Sequence, residues 1–283
     1  MSTSTRSATG ASPEIDRQTS LNGDLPAALL DFCRVSVMRG DKTALHDITL
    51  RISAGEHVAI LGPNGSGKST LIKTITRECY PLVLPGSSLT ILGRNSWNVF
   101  ELRKLLGIVS NDLMSASTRD ITGIEAVLSG FFSSIGLQPY YHVTPEMREK
   151  ARAVLDLLEV PHLAERDMTA MSSGEARRIL IARALVHDPL ALLLDEPSNS
   201  LDLRSALDLR AILRKLAQTG TGILLVTHHL ADIIPEIDRV ILLRDGRIFG
   251  DGSKNLLLTT ERLTELFGLP VELMERDGHY HLW

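Results

Sequence analysis

His57-Val58-Ala59-Ile60-Leu61 runs directly into Gly62-Pro63-Asn64-Gly65-Ser66-Gly67-Lys68-Ser69-Thr70, and Leu71-Ile72-Lys73-Thr74-Ile75 follows. An apolar pentapeptide, a glycine-rich turn and a helix-forming segment predict a buried strand, a loop and a helix in that order. The loop fills the spacing Gly-x4-Gly-Lys-[Ser/Thr]. There, successive backbone N–H groups curl around phosphate oxygens at a helix N-terminus, and glycine is needed where a Cβ would block the approach. Lys68 then supplies a point charge to the β- and γ-phosphates, and Ser69 a hydroxyl ligand for Mg2+. Gly62 to Thr70 is therefore a candidate nucleoside triphosphate site. A ligand-free glycine turn is the alternative, and the strand-loop-helix context weighs against it.

Two further motifs lie downstream. Ala191-Leu192-Leu193-Leu194-Asp195-Glu196-Pro197 is an apolar run ending in adjacent carboxylates. Strand alternation sends neighbours to opposite faces, so the two acids have different tasks. Asp195 is the candidate for holding Mg2+ through water, and Glu196 for orienting or deprotonating an attacking water. Met171-Ser172-Ser173-Gly174-Glu175 precedes a helical period over 174–186. Ser172 and Glu175 by themselves make a capping box, which is a structural device.

In this order, the three motifs resemble the nucleotide-binding domains of the ABC ATPase family over about Asp31 to Gly252. The resemblance implies an α/β P-loop NTPase of ABC type, a mixed sheet core with an antiparallel β subdomain and a helical insert. It implies ATP and Mg2+ as ligands, and it makes Ser172, Ser173, Gly174 and Glu175 a signature loop presented to ATP on a partner subunit. Ser173 and Glu175 replace the family's first glycine and its glutamine. Ser198-Asn199-Ser200-Leu201-Asp202 is similar to the loop crossing the dimer interface, which brings Asp202 to the site. Val226-Thr227-His228 is similar to the strand ending in the switch histidine, with His228 on the γ-phosphate and His229 second to it. Asn111, after Gly107-Ile108-Val109-Ser110, stands where the family has a glutamine at Mg2+; its shorter amide reaches the metal through water. Arg39 stands where the family stacks adenine on an aromatic ring. A guanidinium plane also stacks on a base, and a solvated arginine in a hairpin turn is the other reading. Lys68, Glu196 and His228 are thus the expected catalytic residues, and Ser69, Asp195 and Asn111 the expected metal contacts.

The chain has 283 residues, 43% apolar and 23% charged, with a formal charge of −4, a composition that is globular. No stretch approaches the roughly 18 apolar residues of a membrane span. The acidic balance argues against a broad nucleic-acid surface. Cys33 and Cys79 cannot make a disulfide framework; they suit a reducing compartment and read as small buried side chains. Residues 1–28 read as a disordered tail, since nine of the first twenty are Ser or Thr and no apolar period develops. Residues 29–268 read as the nucleotide-binding domain, with the insert at about 112–185. Residues 269–283 read as a β-hairpin appendix around Asp277-Gly278. Helical periods are expected over 124–137, 145–159 and 203–218.

Six of the twelve aromatics, Trp97, Phe100, Phe131, Phe132, Tyr140 and Tyr141, fall in one stretch. In the family this region docks the membrane subunit, and aromatic enrichment suits a partner patch; core filling by Phe131 or Phe132 is the plainer alternative. The resemblance therefore implies an ATP-hydrolysing subunit that closes as a head-to-tail homodimer on ATP and drives separate transmembrane permease subunits. It would sit peripherally on the cytoplasmic face of the membrane. A soluble ABC-type switch without a permease is the second reading. A coiled-coil repair ATPase has no room in the 104 positions between Lys68 and Ser172. A GTPase or P-loop kinase leaves Met171–Glu175 and His228 unexplained. The stretch 129–137, Ser-Ser-Gly-Glu-x-Arg-Arg at 172–178 and the His228-His229 pair resemble the branch associated with molybdenum transport.

Overall fold

A computed structural model describes residues 28–110, 112–113 and 120–283. Most of the expected tail, and Asn111, lie outside the described residues. Strands β1 (Ala28–Arg39), β2 (Lys42–Ser53) and β4 (Ser88–Ile91) form a small antiparallel sheet in the order β2-β1-β4. Alternation in β2 is regular from Ile48 through Leu50 and Ile52, as a sheet with one wet face requires, and it changes phase after buried Leu45 where the pairing with β1 shifts register and Asp47 takes φ +52°.

The main sheet takes β3 (His57–Leu61), β5 (Leu106–Val109), β6 (Ala191–Asp195), β7 (Gly222–Thr227), β8 (Arg239–Arg244) and β9 (Arg247–Ser253) in the order β5-β6-β7-β3-β8-β9. All its pairings are parallel except β8 with β9. Its central strands are buried on both faces, which explains why β3, β6 and β7 read as unbroken apolar runs. Arg239 ties the two sheets together: it donates to the Arg51 carbonyl at 2.9 Å, to Glu56 at 2.9 Å and to Asp251 at 2.7 Å. These partners hold its guanidinium above its ordinary range.

Helix α1 (Lys68–Ile75) leaves the glycine loop and packs beneath the small sheet. Helix α2 (Val99–Leu105) precedes β5. The helical lobe contains α3 (Gly123–Leu128), α4 (Pro145–Leu157) and α5 (Ser173–Leu185), each started by a Thr or Ser cap. Helix α6 (Leu203–Gln218) returns the chain to the main sheet.

The helix expected over 124–137 stops at Leu128 and becomes a 3-10 turn over Ser129–Phe132, with Ser133 at φ +50°. Tight packing explains the break. A Cβ on Gly130 would lie 2.4 Å from the Arg183 carbonyl, so the chain crosses α5 here on a glycine. Arg183 then donates to Ser129 Oγ at 3.2 Å and to the Ser134 carbonyl at 2.8 Å, fixing the turn from inside. Both cysteines are free and half-buried.

At the C-terminus, α7 (Lys254–Leu257) and α8 (Thr260–Phe267) lead to β10 (Leu273–Arg276) and β11 (His279–Leu282), which pair antiparallel. Tyr280 is buried in the main core, so this hairpin is packed onto the domain.

Candidate functional site

The glycine loop lies at the C-terminal end of β3, where parallel α/β sheets open their crevices. Its shape is locked from outside. Gly246 N–H donates to the Ser66 carbonyl at 2.9 Å, and His46 N–H to the Gly246 carbonyl at 2.8 Å. Gly67, at φ +106°, caps α1, and a Cβ there would lie 2.9 Å from a Leu45 methyl. The first glycine is equally constrained: a Cβ on Gly62 would meet the Leu243 carbonyl at 2.2 Å. A cavity of 630 Å³ opens over this loop. The loop residues Asn64, Gly65, Gly67, Lys68, Ser69 and Thr70 line one wall, and Glu196, Asn199 and His228 another.

Lys68 and Glu196 form the charged centre. The Lys68 side chain is only 6% exposed and lies 3.5 Å from Glu196 Oε1. Its ammonium also donates to the Gly62 carbonyl at 2.8 Å and the Pro63 carbonyl at 3.1 Å. Burial pulls its pKa below the usual lysine range, and the Glu196 charge restores part of that. On the other carboxylate oxygen, Glu196 Oε2 accepts from His228 N–H at 3.2 Å and sits 2.7 Å from His228 Nδ1. The His229 ring packs against that of His228 with 3.8 Å between centroids and is itself exposed, so His228 is the one in the cavity wall.

Asp195, at the end of β6, is half-buried beside a like charge. Its carboxyl is pushed up to about 6, first by burial and then by Glu196, with Lys68 pulling it back. Above about pH 6 the folded chain thus carries a charge that the unfolded chain holds more easily. The carboxylate subtracts stability there, and the penalty fades as the pH falls toward the ordinary aspartate value. Asp195→Asn is accordingly expected to raise the Tm of the nucleotide-free protein by a few degrees near neutral pH, with a smaller gain at about pH 5. Thermal unfolding at the two pH values checks this.

The signature stretch is a complete capping box. Ser172 N–H donates to Glu175 Oε2 at 2.8 Å, and Glu175 N–H to Ser172 Oγ at 3.2 Å. The box, together with Arg166 at 3.0 Å, holds the Glu175 carboxyl below its usual range. Ser173 donates to the Ser200 carbonyl at 3.3 Å, and a Cβ on Gly174 would lie 2.5 Å from Ser205 Oγ, so this loop abuts the start of α6. Asp202 caps that helix, accepting from Ser205 N–H at 2.9 Å and from its hydroxyl at 2.7 Å. None of Ser172 to Glu175, nor Asp202, lines the cavity of its own chain.

Arg39 does not line the cavity either; its guanidinium reaches Cys79 Sγ at 3.8 Å. Thr43, Ala44, Asp245 and Gly246 do line it, and sequence reasoning missed all four. One signal existed. Asp245-Gly246 follows the apolar run of β8, and both have positive φ, as a two-residue hairpin turn demands. A second cleft of 310 Å³ lies between β5 and α5, lined in part by Arg103, Ile108, Leu113, Ile135, Arg183 and His187. None of the six clustered aromatics lines it, although Phe131 packs edge-on against His187 at 5.2 Å. Phe132 stacks on Tyr141, and Phe100 and Tyr140 are exposed.

No helix among the described residues is long and apolar enough to cross a membrane. The family model for ABC transporters matches residues 45–199. An uncharacterised ABC transporter ATP-binding protein, YlmA of Bacillus subtilis (strain 168), is 33% identical over 251 residues, covering 87% of this chain and 93% of the relative. The hemin import ATP-binding protein HmuV of Hahella chejuensis (strain KCTC 2396) is 33% identical over 244 residues, covering 82% and 90%. In fold, the dimeric structure of MJ0796, a bacterial ABC transporter cassette, superposes with a TM-score of 0.65 at 27% identity, covering 79% and 98%. The chain therefore belongs to the ABC transporter family, as an ATP-hydrolysing subunit that powers a membrane transporter.

Proposed function

We propose that ATP hydrolysis here runs through Glu196 as general base, Lys68 as phosphate-binding cation and His228 as the group that holds Glu196 and meets the γ-phosphate. One observation carries this reading: a single carboxylate, 12% exposed, bridges Lys68 and His228 across a cavity walled on one side by the phosphate loop. Glu196 takes the proton of the attacking water, with the Lys68 ammonium 3.5 Å from its other side. The N–H groups from Asn64 to Thr70 cradle the β- and γ-phosphates. The residues also fit Mg2+: Asp195 and Glu196 crowd two negative charges around one lysine, and burial followed by the Glu196 charge raises the pKa of Asp195. Ser69 and Asp195, with Asn111, would hold the ion, which when bound spreads the phosphate charge. Asp195 acts through its carboxylate and Ser69 through its hydroxyl. Stacking of Arg39 on adenine requires its guanidinium to leave Cys79.

The partner reading follows from what the cavity lacks. Ser172 to Glu175 and Asp202 lie away from the ATP loop of their own chain, and the N-terminus of α5 favours an anion. They would reach ATP held by a second copy in head-to-tail closure, consistent with the dimeric cassette of MJ0796. The cleft between β5 and α5, largely apolar and with Arg103 and Arg183 set beside Glu78 and Asp112, suits a segment of a separate membrane subunit. On this reading the chain sits peripherally on the cytoplasmic face of the membrane. A metal-containing cargo is supported by the hemin named for HmuV; molybdenum, suggested by the branch resemblance, is not named by that relative. Purification from the native membrane fraction is expected to bring an integral membrane protein in stoichiometric amount. A chain that purifies alone from membranes and runs ATP at full rate without one removes the permease from this account.

A further inference from the structure

The buried Asp232 stands outside every motif read from the sequence, in a 3-10 turn over Leu230–Asp232 just after His228-His229. Its side chain is 4% exposed, and it gathers three elements. Ser198 donates its hydroxyl to Asp232 Oδ2 at 2.5 Å. Thr227 Oγ1 lies 3.1 Å from the same oxygen, and Arg210 of α6 pairs with Oδ1 at 3.8 Å. Ser198 is two residues past Glu196, and Thr227 immediately precedes His228. One carboxylate therefore clamps both chain segments that carry the catalytic pair.

Glu196 needs such a clamp. It has φ +48°, a left-handed conformation that residues with a Cβ rarely adopt and that persists only where the surroundings over-determine it. Its N–H is held by the Val226 carbonyl at 2.8 Å and its own carbonyl by Asn199 N–H at 3.1 Å. Ser198 on Asp232 pins it to the histidine turn. The Thr227 hydroxyl has one proton and two carboxylate neighbours, Asp232 at 3.1 Å and Glu196 Oε2 at 3.3 Å. The shorter contact is to Asp232, so Thr227 too ties the histidine turn to this carboxylate.

We propose that Asp232 is a positioning residue for ATP hydrolysis, holding Ser198 and Thr227 so that Glu196 faces the cavity between Lys68 and His228. The proposal rests on Glu196 being the base. Steady-state ATPase assays on the full chain test it. Asp232→Asn is expected to lower kcat by roughly ten- to a hundredfold while KM for ATP stays within about twofold, since the phosphate loop is untouched. Ser198→Ala removes the strongest bond without altering a buried charge and is expected to act in the same direction, whereas Ser198→Thr keeps the hydroxyl and should run near the parent rate. In the double variant Asp232→Asn/Ser198→Ala the losses should not multiply, because both act through one contact. Should Asp232→Asn fail to fold, Ser198→Ala against Ser198→Thr decides. A parent kcat in Ser198→Ala, or losses that multiply in the double variant, overturns the clamp. Glu196→Gln is run alongside: if it is inactive while Ser198→Ala is at parent rate, the clamp alone is wrong, and if Glu196→Gln itself hydrolyses at parent rate, the assignment of the base is wrong.

Discussion

Glu196→Gln should bind ATP as the parent does, lose turnover by about 10²–10⁴-fold and accumulate as a dimer in the presence of ATP. The loss follows from chemistry: an amide of the same size cannot accept the water proton. Retained binding follows from geometry. Lys68 keeps its bonds to the Gly62 and Pro63 carbonyls without Glu196, and none of the loop N–H groups is engaged by it. The substitution has one cost in the empty site. The carboxylate accepts from Lys68 on one oxygen and from His228 N–H on the other, so either orientation of an amide sets its NH2 against a donor. That conflict is worth about 1–3 kcal/mol. It is offset in part because Asp195 loses its like-charged neighbour, and in the ATP complex because phosphate takes over Lys68. Hydrolysis blocked while closure is allowed leaves the dimer as the resting state. Nucleotide binding, a phosphate-release assay and size-exclusion chromatography in ATP check the three parts, and hydrolysis at the parent rate removes Glu196 as base.

What was legible in the sequence was whatever is encoded locally. The phosphate loop is a contiguous stretch between a buried strand and a helix, and β6 is an apolar run whose end carries the acids, so both could be read from neighbours in the chain. The capping box at Ser172 and Glu175 is likewise a three-residue relation, and it forms as spaced. The rest is tertiary. Thr43, Ala44 and Gly246 enter the cavity wall only because the β8–β9 turn folds over the loop and locks to the small sheet through His46 and Ser66. Asp232 reads as an ordinary polar residue in a turn until Ser198, 34 positions away, meets it. The period over 124–137 looked helical because apolar spacing does not reveal that Gly130 must pass within touching distance of α5. Arg39 occupies the expected place along the chain, but at the tip of a hairpin the chain position does not fix where a long side chain rests, and here it rests on Cys79.

Lys68→Ala should produce the other large effect, on binding rather than on chemistry. ATP affinity is expected to fall by about ten- to a hundredfold or more, because a charge-assisted contact in a half-closed cavity is worth about 1.5–3 kcal/mol and this ammonium serves more than one phosphate oxygen. Stability should move as well, and its direction depends on two opposing terms. Burial lowers the pKa of Lys68, so deleting it relieves a desolvated charge. Against that, Glu196 and Asp195 lose the cation between them, and unpairing a largely buried ion pair generally costs more than desolvation returns. The second term wins while both acids are ionised, so the nucleotide-free variant should melt below the parent near neutral pH. Acidification should narrow the gap: Asp195, with its carboxyl pushed up to about 6, takes a proton first and removes one of the two charges left without a partner. Adding Glu196→Gln to Lys68→Ala should narrow it too, by removing the other. Thermal melts of the single and double variants at about pH 7.5 and about pH 5.5, with nucleotide titrations beside them, separate these contributions. A Lys68→Ala protein that melts at the parent temperature and binds ATP at parent affinity would show that the buried ammonium neither holds phosphate nor balances the two carboxylates.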